Sequence, residues 1–337
     1  MTIATTAARG ALGIDIGASK TLLALFNEKF QILDEIKIKT PGKKEFDGAL
    51  ETAVGALARK AKHRGLTLLG VGLGCAGTFD LNGEMVAGSG NIPFIGEYPF
   101  RTRLSKLAGA SVIMGNDVQM GLYGEHRLGA AKGLRHVLAV FFGTGVGAAL
   151  IIDGDLYLGA SGAAGEFGHC LVAPMGPLTG SERQGVLDDF VGRHAIAGAA
   201  ASISARRLAP RLYERAGADV TRIRSGVLAD SIRKGDTNIE EMVRSRARTA
   251  GIALSNLVDF LSPEMVVLGG GLVEAMPSLF KQEITQEILA HTVPAVAKTV
   301  RVVVAKLGRH AVTAGAAKMA WDRLVPDSTP LRRKSHE

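Results

Sequence analysis

The chain has 337 residues, room for two compact lobes with their own buried cores and too many for one small domain. Its composition, 47% hydrophobic and 21% charged with 43 glycines, is that of a globular α/β protein and excludes a disordered or low-complexity chain. Two cysteines, Cys75 and Cys170, exclude a disulfide framework or a cysteine-built metal knuckle. A reducing, cytoplasmic setting is therefore expected.

The formal charge of +8 is carried by residues such as Arg206, Arg207, Arg211 and Arg215, spread along helical stretches as solvated faces. Only Arg332, Arg333 and Lys334 cluster, so no nucleic-acid partner is expected. The first ten residues are small and polar, and the apolar stretch after them is interrupted by Asp15, which argues against a signal peptide. The apolar runs Ala11–Ile16 and Leu22–Phe26 flank Gly17-Ala18-Ser19-Lys20 and predict a glycine-bearing hairpin. Such turns leave backbone N–H groups open to phosphate oxygens. Asp15 beside the turn would repel phosphate unless a divalent cation intervened, which makes it a candidate Mg²⁺ partner, directly or through water. Further on, Val112–Asn116 reads as a short strand ending at Asp117, just before a helix. Strand ends of this kind face clefts, whereas a helix N-cap is the bland alternative for Asp117.

The run Val137–Ile152 is broken by glycines and falls short of the roughly 20 apolar residues of a membrane span, so it reads as two strands and a turn, and no membrane partner is expected. Its Gly143-Thr144-Gly145-Val146-Gly147 segment repeats the first hairpin, with Gly143 in the place of Gly17. Two lobes on one plan are implied, each offering a turn to a polyphosphate. Neither turn has the Walker spacing. In Gly159–His169 small residues surround Glu166 and His169, leaving room for a polyol that both could bind; a structural link between the two is the alternative. A helical stretch from Arg193 to Leu261 stops at Ser262-Pro263, and the strand from Met265 ends in Gly269, Gly270 and Gly271. A last helix is expected over Ala311–Leu324.

These motifs resemble, in order and over most of the chain, the ROK family of sugar kinases and repressors in the actin-like ATPase and hexokinase superfamily. Asp15–Lys20 is similar to the family's first phosphate motif, with Ala18 and Ser19 replacing glycine and threonine. Gly72–Asp80 resembles its G-x-x-x-x-G-x-x-D segment, Asn91-Ile92-Pro93 its sugar loop, and Asn116-Asp117 its catalytic pair. Gly143–His169 resembles the second phosphate motif running into the ExGH sugar motif, and Met265–Gly271 the adenosine-side turn. The zinc knuckle that usually follows ExGH is missing: Thr179, Ser181 and Val186 stand where the family has cysteines, and Asp188 replaces a sugar-contacting glutamate. No structural zinc is therefore expected.

The resemblance implies an α/β, two-lobed actin-like ATPase (ribonuclease H-like) fold with nucleotide and sugar in the interlobe cleft. Residues 1–117 with helix 311–324 would form one lobe and 118–305 the other. It implies ATP-dependent phosphorylation of a hexose, at C6, in the manner of a glucokinase or fructokinase. Asp117 would be the general base, with the sugar held by Asn91, Asn116, Asp117, Glu166, His169 and Asp188. MgATP would be held by Asp15, Gly17, Ala18, Ser19, Lys20, Gly143, Thr144, Gly145, Gly147 and Gly269–Gly271, and the chain would form a homodimer. A non-catalytic sugar sensor and a kinase for an N-acetylhexosamine are the alternatives. A DNA-binding repressor is not expected, because fourteen residues ahead of Asp15 are too few for a helix-turn-helix domain.

Overall fold

The computed structural model describes residues 8–88, 92–173 and 184–325. Its contacts divide the chain into two units. One holds the chain up to Gly133, Gly154–Ala164 and the chain from His310 onward; the other holds Leu134–Asp153 and Gly165–Arg309.

In the first part of the chain the strands are β1 (Ala8–Ile16), β2 (Lys20–Asn27), β3 (Ile32–Lys39), β4 (Leu66–Cys75), β5 (Gly77–Phe79), β6 (Met85–Gly88) and β7 (Val112–Asn116). Among them lie the helices α1 (Lys43–His63) and α2 (Phe100–Ala108), and α3 (Asp117–Arg127) follows β7. The main sheet has the order β3-β2-β1-β4-β7. Its first three strands form an antiparallel meander, while β1, β4 and β7 run parallel. Strands buried on both faces carry continuous apolar runs. Accordingly Leu12, Ile14 and Ile16 of β1 and Leu23 and Leu25 of β2 are fully buried, packed with Phe46, Leu50, Val54 and Leu57 of α1 and Phe100 and Leu104 of α2.

The sequence from Leu134 onward builds β8 (Val137–Phe142), β9 (Val146–Ile152), β10 (Asp155–Tyr157), β11 (Met265–Gly269) and β12 (Arg301–Val304). Between β10 and β11 come α4 (Asp188–Val191), α5 (Arg193–Ala205), α6 (Pro210–Ala216), α7 (Ser225–Arg233) and α8 (Thr237–Leu261). The helices α9 (Gly271–Ala275), α10 (Pro277–His291) and α11 (Pro294–Ala297) precede β12. The sheet order is β10-β9-β8-β11-β12, with β8 antiparallel to β9 and parallel to β11. The order repeats that of the first sheet, and the senses of β9, β8, β11 and β12 match those of β2, β1, β4 and β7, so the two hairpins read from the sequence occupy the same place in two copies of one topology. The second core joins Leu138, Val140, Phe142, Val266 and Leu268 to Val243, Ala247, Leu254 and Val258 of α8 and Phe280 and Ile284 of α10. No helix among the described residues is long and apolar enough to cross a membrane.

The last helix, α12 (Ala311–Leu324), belongs to the first unit and is buried along nearly its whole circumference. It can lie there because the backbones it meets carry no side chain at the contact. A Cβ on Gly13 of β1 would stand 1.9 Å from the Thr313 carbonyl oxygen, and one on Gly72 of β4 1.9 Å from that of Ala316. On the other side, a Cβ on Gly315 of α12 would stand 1.8 Å from the Met120 carbonyl oxygen of α3. No rotamer change relieves a clash with backbone, so overpacking here costs at the upper end of its range. Gly72→Ala is expected to lower the unfolding free energy by about 3 kcal/mol, read as a shifted urea midpoint at constant slope. Gly48→Ala on the open face of α1, where a Cβ meets nothing within 4 Å, should raise it by about 0.5–1 kcal/mol. Equal effects at the two sites would refute this account of the α12 seat.

Candidate active site

Three parallel strands of the first unit end in register. Asp15 pairs with Gly74 and Ile16 with Cys75 across β1 and β4, and Gly74 with Gly115 and Cys75 with Asn116 across β4 and β7. Asp15 and Asp117 are therefore carried to one sheet edge, on either side of the end of β4. Both charges reach Cys75 between them: burial above all, then Asp117 and Asp15, push its thiol well above the ordinary value. The thiol stays protonated, and two carboxylates share the edge.

The helix following β7 starts with a division of labour between neighbours. Asn116 is the N-cap: its Oδ1 accepts from the N–H of Val118 at 2.9 Å and of Gln119 at 3.2 Å, and its amide donates to the Gly77 carbonyl at 3.1 Å. Its side chain is thereby committed to the fold. Asp117 is the first helical residue, half-buried, with Oδ1 also 3.0 Å from the Val118 N–H. The capping alternative weighed for Asp117 thus falls mainly to its neighbour. Next along α3, Gln119 donates to the carbonyls of Gly162 and Ala164, at 3.0 and 3.4 Å.

The β1–β2 turn closes with Gly17 N–H donating to the Lys20 carbonyl at 3.0 Å, while Ser19 and Lys20 are exposed and Gly17 and Ala18 half-buried. Thr40, which the motifs did not mark, braces it: its hydroxyl donates to the Gly17 carbonyl at 2.6 Å and its N–H to the Ser19 carbonyl at 3.3 Å. Thr21 lies 3.0 Å from Thr40 Oγ1, and with the Thr40 proton on Gly17, Thr21 is the donor. This turn lies beside Asp15, an oxygen ligand of the kind a hard cation such as Mg²⁺ takes. The single carboxylate suits an ion that keeps waters and borrows phosphate oxygens.

In the second unit the β8–β9 turn closes with Gly143 N–H donating to the Gly145 carbonyl at 2.8 Å. Gly143, Thr144 and Gly145 form the turn, whereas Gly147 is a strand residue paired with Phe141. Asp188, at the start of α4, reaches back to this turn and accepts from the Val146 N–H. A Cβ on Gly145 would stand 2.5 Å from its Oδ2. Burial, more than any charge, pushes the Asp188 carboxyl up; the Val146 bond and His169 act the other way. At the neighbouring strand end, Gly269 pairs with Phe141 and Gly271 opens α9. Gly270 between them has φ +88° and would press a Cβ to 2.5 Å from the Phe142 carbonyl oxygen, so only glycine suits the place.

Glu166 and His169 lie on an exposed single turn anchored by the buried ring of Phe167, with Nε2 3.8 Å from Oε2. Each side chain is 54% exposed, so the pair adds little stability and both groups remain accessible. The small residues before them do not make room for a ligand as expected. A Cβ on Gly162 would stand 2.0 Å from the Phe79 carbonyl oxygen and one on Gly165 2.1 Å from that of Ala148, so these glycines serve close backbone packing. Asn91, Thr179 and Ser181 lie outside the described residues. Val186 is fully buried, its main chain bridged to Leu171. Among the described residues no three His, Cys, Asp or Glu side chains are grouped to hold a metal.

Two expectations follow from this geometry. Because the folded Asp188 carboxyl titrates above the unfolded one, the folded state binds the extra proton, and stability falls as pH rises from the ordinary value of 3.8 through the raised one. Asp188→Asn keeps an acceptor for Val146 without the charge, so its melting temperature relative to wild type should climb between pH 4 and pH 7; a flat difference would count against the buried carboxylate. Purified protein should also contain far less than one zinc per chain, since valine offers no ligand and His169 faces Glu166. Elemental analysis near one zinc, with melting sensitive to chelator, would overturn that.

A family model described as the ROK family matches residues 11–323. A glucokinase of Streptomyces coelicolor is 30% identical over 264 residues, covering 77% of this chain and 81% of that protein. An N-acetylgalactosamine kinase of a Shewanella species is 29% identical over 275 residues, covering 78% and 82%. Among solved structures, a ROK family glucokinase from Streptomyces griseus in complex with glucose and AMPPNP superposes with a TM-score of 0.82 at 27% identity, over 93% of this chain and 99% of that one. The chain belongs to the ROK family and has its α/β, actin-like ATPase fold.

Proposed function

We propose that this chain, an ATP-dependent sugar kinase, transfers the γ-phosphoryl group of ATP to the C6 hydroxyl of a hexose, with Asp117 as the general base. One observation carries the reading. Asp117 stands at the end of β7 beside the Asp15 edge as the first residue of α3, whose N-cap is its neighbour Asn116. The relatives named above, kinases of glucose and of an N-acetylhexosamine, support the reaction class.

In this reaction the hydroxyl oxygen attacks phosphorus, its proton passes to Asp117, and ADP leaves. Asp15 would hold Mg²⁺ through water, and the ion would neutralise charge on the triphosphate. The N–H groups of Gly17–Lys20 and Gly143–Gly145 offer donors to phosphate oxygens, so rate comes mainly from positioning and electrostatics. Glu166 and His169, exposed on a fixed turn, supply an acceptor and a donor for sugar hydroxyls. Asp188, turned to Val146, keeps one carboxylate oxygen for the fold. It thus acts on the sugar chiefly by holding the Gly145 and Gly168 backbones, where a Cβ on Gly168 would stand 2.7 Å from Oδ1.

Asp117→Asn should lower kcat roughly 10²-fold to 10⁴-fold while leaving affinity for AMPPNP and the melting temperature near wild type. A coupled ADP-release assay run over glucose, fructose, mannose, N-acetylglucosamine and N-acetylmannosamine reads both the base and the acceptor. Near-normal turnover in the variant rules out Asp117 as the base, and turnover confined to N-acetylhexosamines rules out the plain hexose.

A further inference from the structure

Two arginines that no motif marked lie in the second unit, one at the Gly143–Gly145 turn and one near the neighbouring strand end. Arg193 opens α5, and its N–H donates to the Gly143 carbonyl at 3.2 Å. Its guanidinium donates to Thr144 Oγ1, also at 3.2 Å, so the half-buried cation lies along the Gly143–Gly145 turn. Arg224 directly precedes α7, whose Ser225 Oγ would be 3.8 Å from a Cβ on Gly271. It is exposed at the Gly269–Gly271 end of β11, the strand next to β8.

Among the described residues neither guanidinium has a carboxylate partner, although this basic chain pairs many of its other arginines. Arg244 and Arg248 share Glu283, Arg103 pairs with Asp47, and Arg101 with Glu84. The nearest acid of the turn, Asp188, is turned to the Val146 N–H and toward His169. Instead of a counter-ion, Arg193 feels another cation: burial first, and then the Arg224 charge, depress its guanidinium. A partly buried cation facing a like charge is unfavourable unless an anion joins them. Guanidinium groups beside a turn of open N–H donors match a phosphate chain, whose oxygens they take bidentately.

We propose that Arg193 and Arg224, with Thr144 and the Gly143–Gly145 turn, form a cationic subsite for an oligophosphate chain, that of a nucleoside triphosphate or of an inorganic polyphosphate. The inference rests on the kinase reading for its biological use, but not for its test. Isothermal titration of the full chain with inorganic tripolyphosphate, AMPPNP and adenosine is compared for wild type, Arg193→Gln, Arg224→Gln and Arg193→Lys. Each glutamine variant should bind tripolyphosphate and AMPPNP about tenfold more weakly, as loss of a charge-assisted bond does, and adenosine within twofold of wild type. Arg193→Lys should recover part of the loss. Because Arg224 is exposed, its variant decides the matter even where Arg193→Gln fails to fold. Tripolyphosphate binding that is absent in wild type, or within twofold of it in Arg224→Gln and in any folded Arg193→Gln, overturns the subsite; so does adenosine weakening in step with tripolyphosphate.

The same preparations are run with glucose and either ATP or tripolyphosphate as donor. Where binding is arginine-dependent, turnover with tripolyphosphate identifies an inorganic chain as a source, and turnover with ATP alone identifies the nucleotide. Arginine-dependent tripolyphosphate binding in a chain that phosphorylates no sugar upholds the subsite and removes the kinase reading. Sugar turnover with arginine-independent binding does the reverse.

Discussion

The contact on which the first unit depends is backbone against backbone. Gly13, Gly72, Gly124 and Gly315 let α12 settle on β1, β4 and α3 at distances that a single methyl group would forbid. Where α12 meets these glycines it presents Ala311, Thr313, Gly315 and Ala316, so its hold there comes from the closeness and number of small contacts. That closeness also fixes the depth of β1 and β4 and the angle of α3, and hence the height at which Asp15 and Asp117 emerge. The chemistry at the sheet edge is set by residues more than a hundred positions away in sequence.

Below that edge lies a thiol whose ionisation is pushed well above its ordinary range. Cys75 is buried and flanked by the fields of two carboxylates, each of which makes a third negative charge costlier. The charges that reach the thiol are those of Asp117 and Asp15.

Local pattern carried a good deal of this architecture. Both glycine hairpins, the helix stop at Ser262-Pro263 and the span of α12 follow from apolar periodicity and turn residues, because these features are decided within a few positions of themselves. The duplicated sheet order was legible only as two similar hairpins; the strands completing it, β4 and β7 or β11 and β12, are short apolar runs that periodicity cannot order. Close backbone packing was misread at Gly162 and Gly165, since a small residue in sequence does not say whether the space beside it is empty or already filled. The N-cap role, which the sequence offered for Asp117, belongs mainly to Asn116, because which of two adjacent polar residues turns back onto the helix is decided by backbone geometry. Thr40 and Arg193 gave no signal at all, because each meets its turn across tens of residues and a lone threonine or arginine in a basic chain looks like surface.

The two equivalent turns are held from behind by unlike groups. At the first, the chain Thr21 to Thr40 to Gly17 is made of alcohols and a carbonyl, none of which changes protonation in the range where proteins stay folded. At the second, the brace is the Asp188 carboxylate on the Val146 N–H. The duplication is therefore symmetric in topology and asymmetric in its answer to acid. One hairpin is braced by groups that do not titrate, while the other sits on a carboxyl whose titration is shifted up, so a drop in pH would reach the β8–β9 turn before the β1–β2 turn.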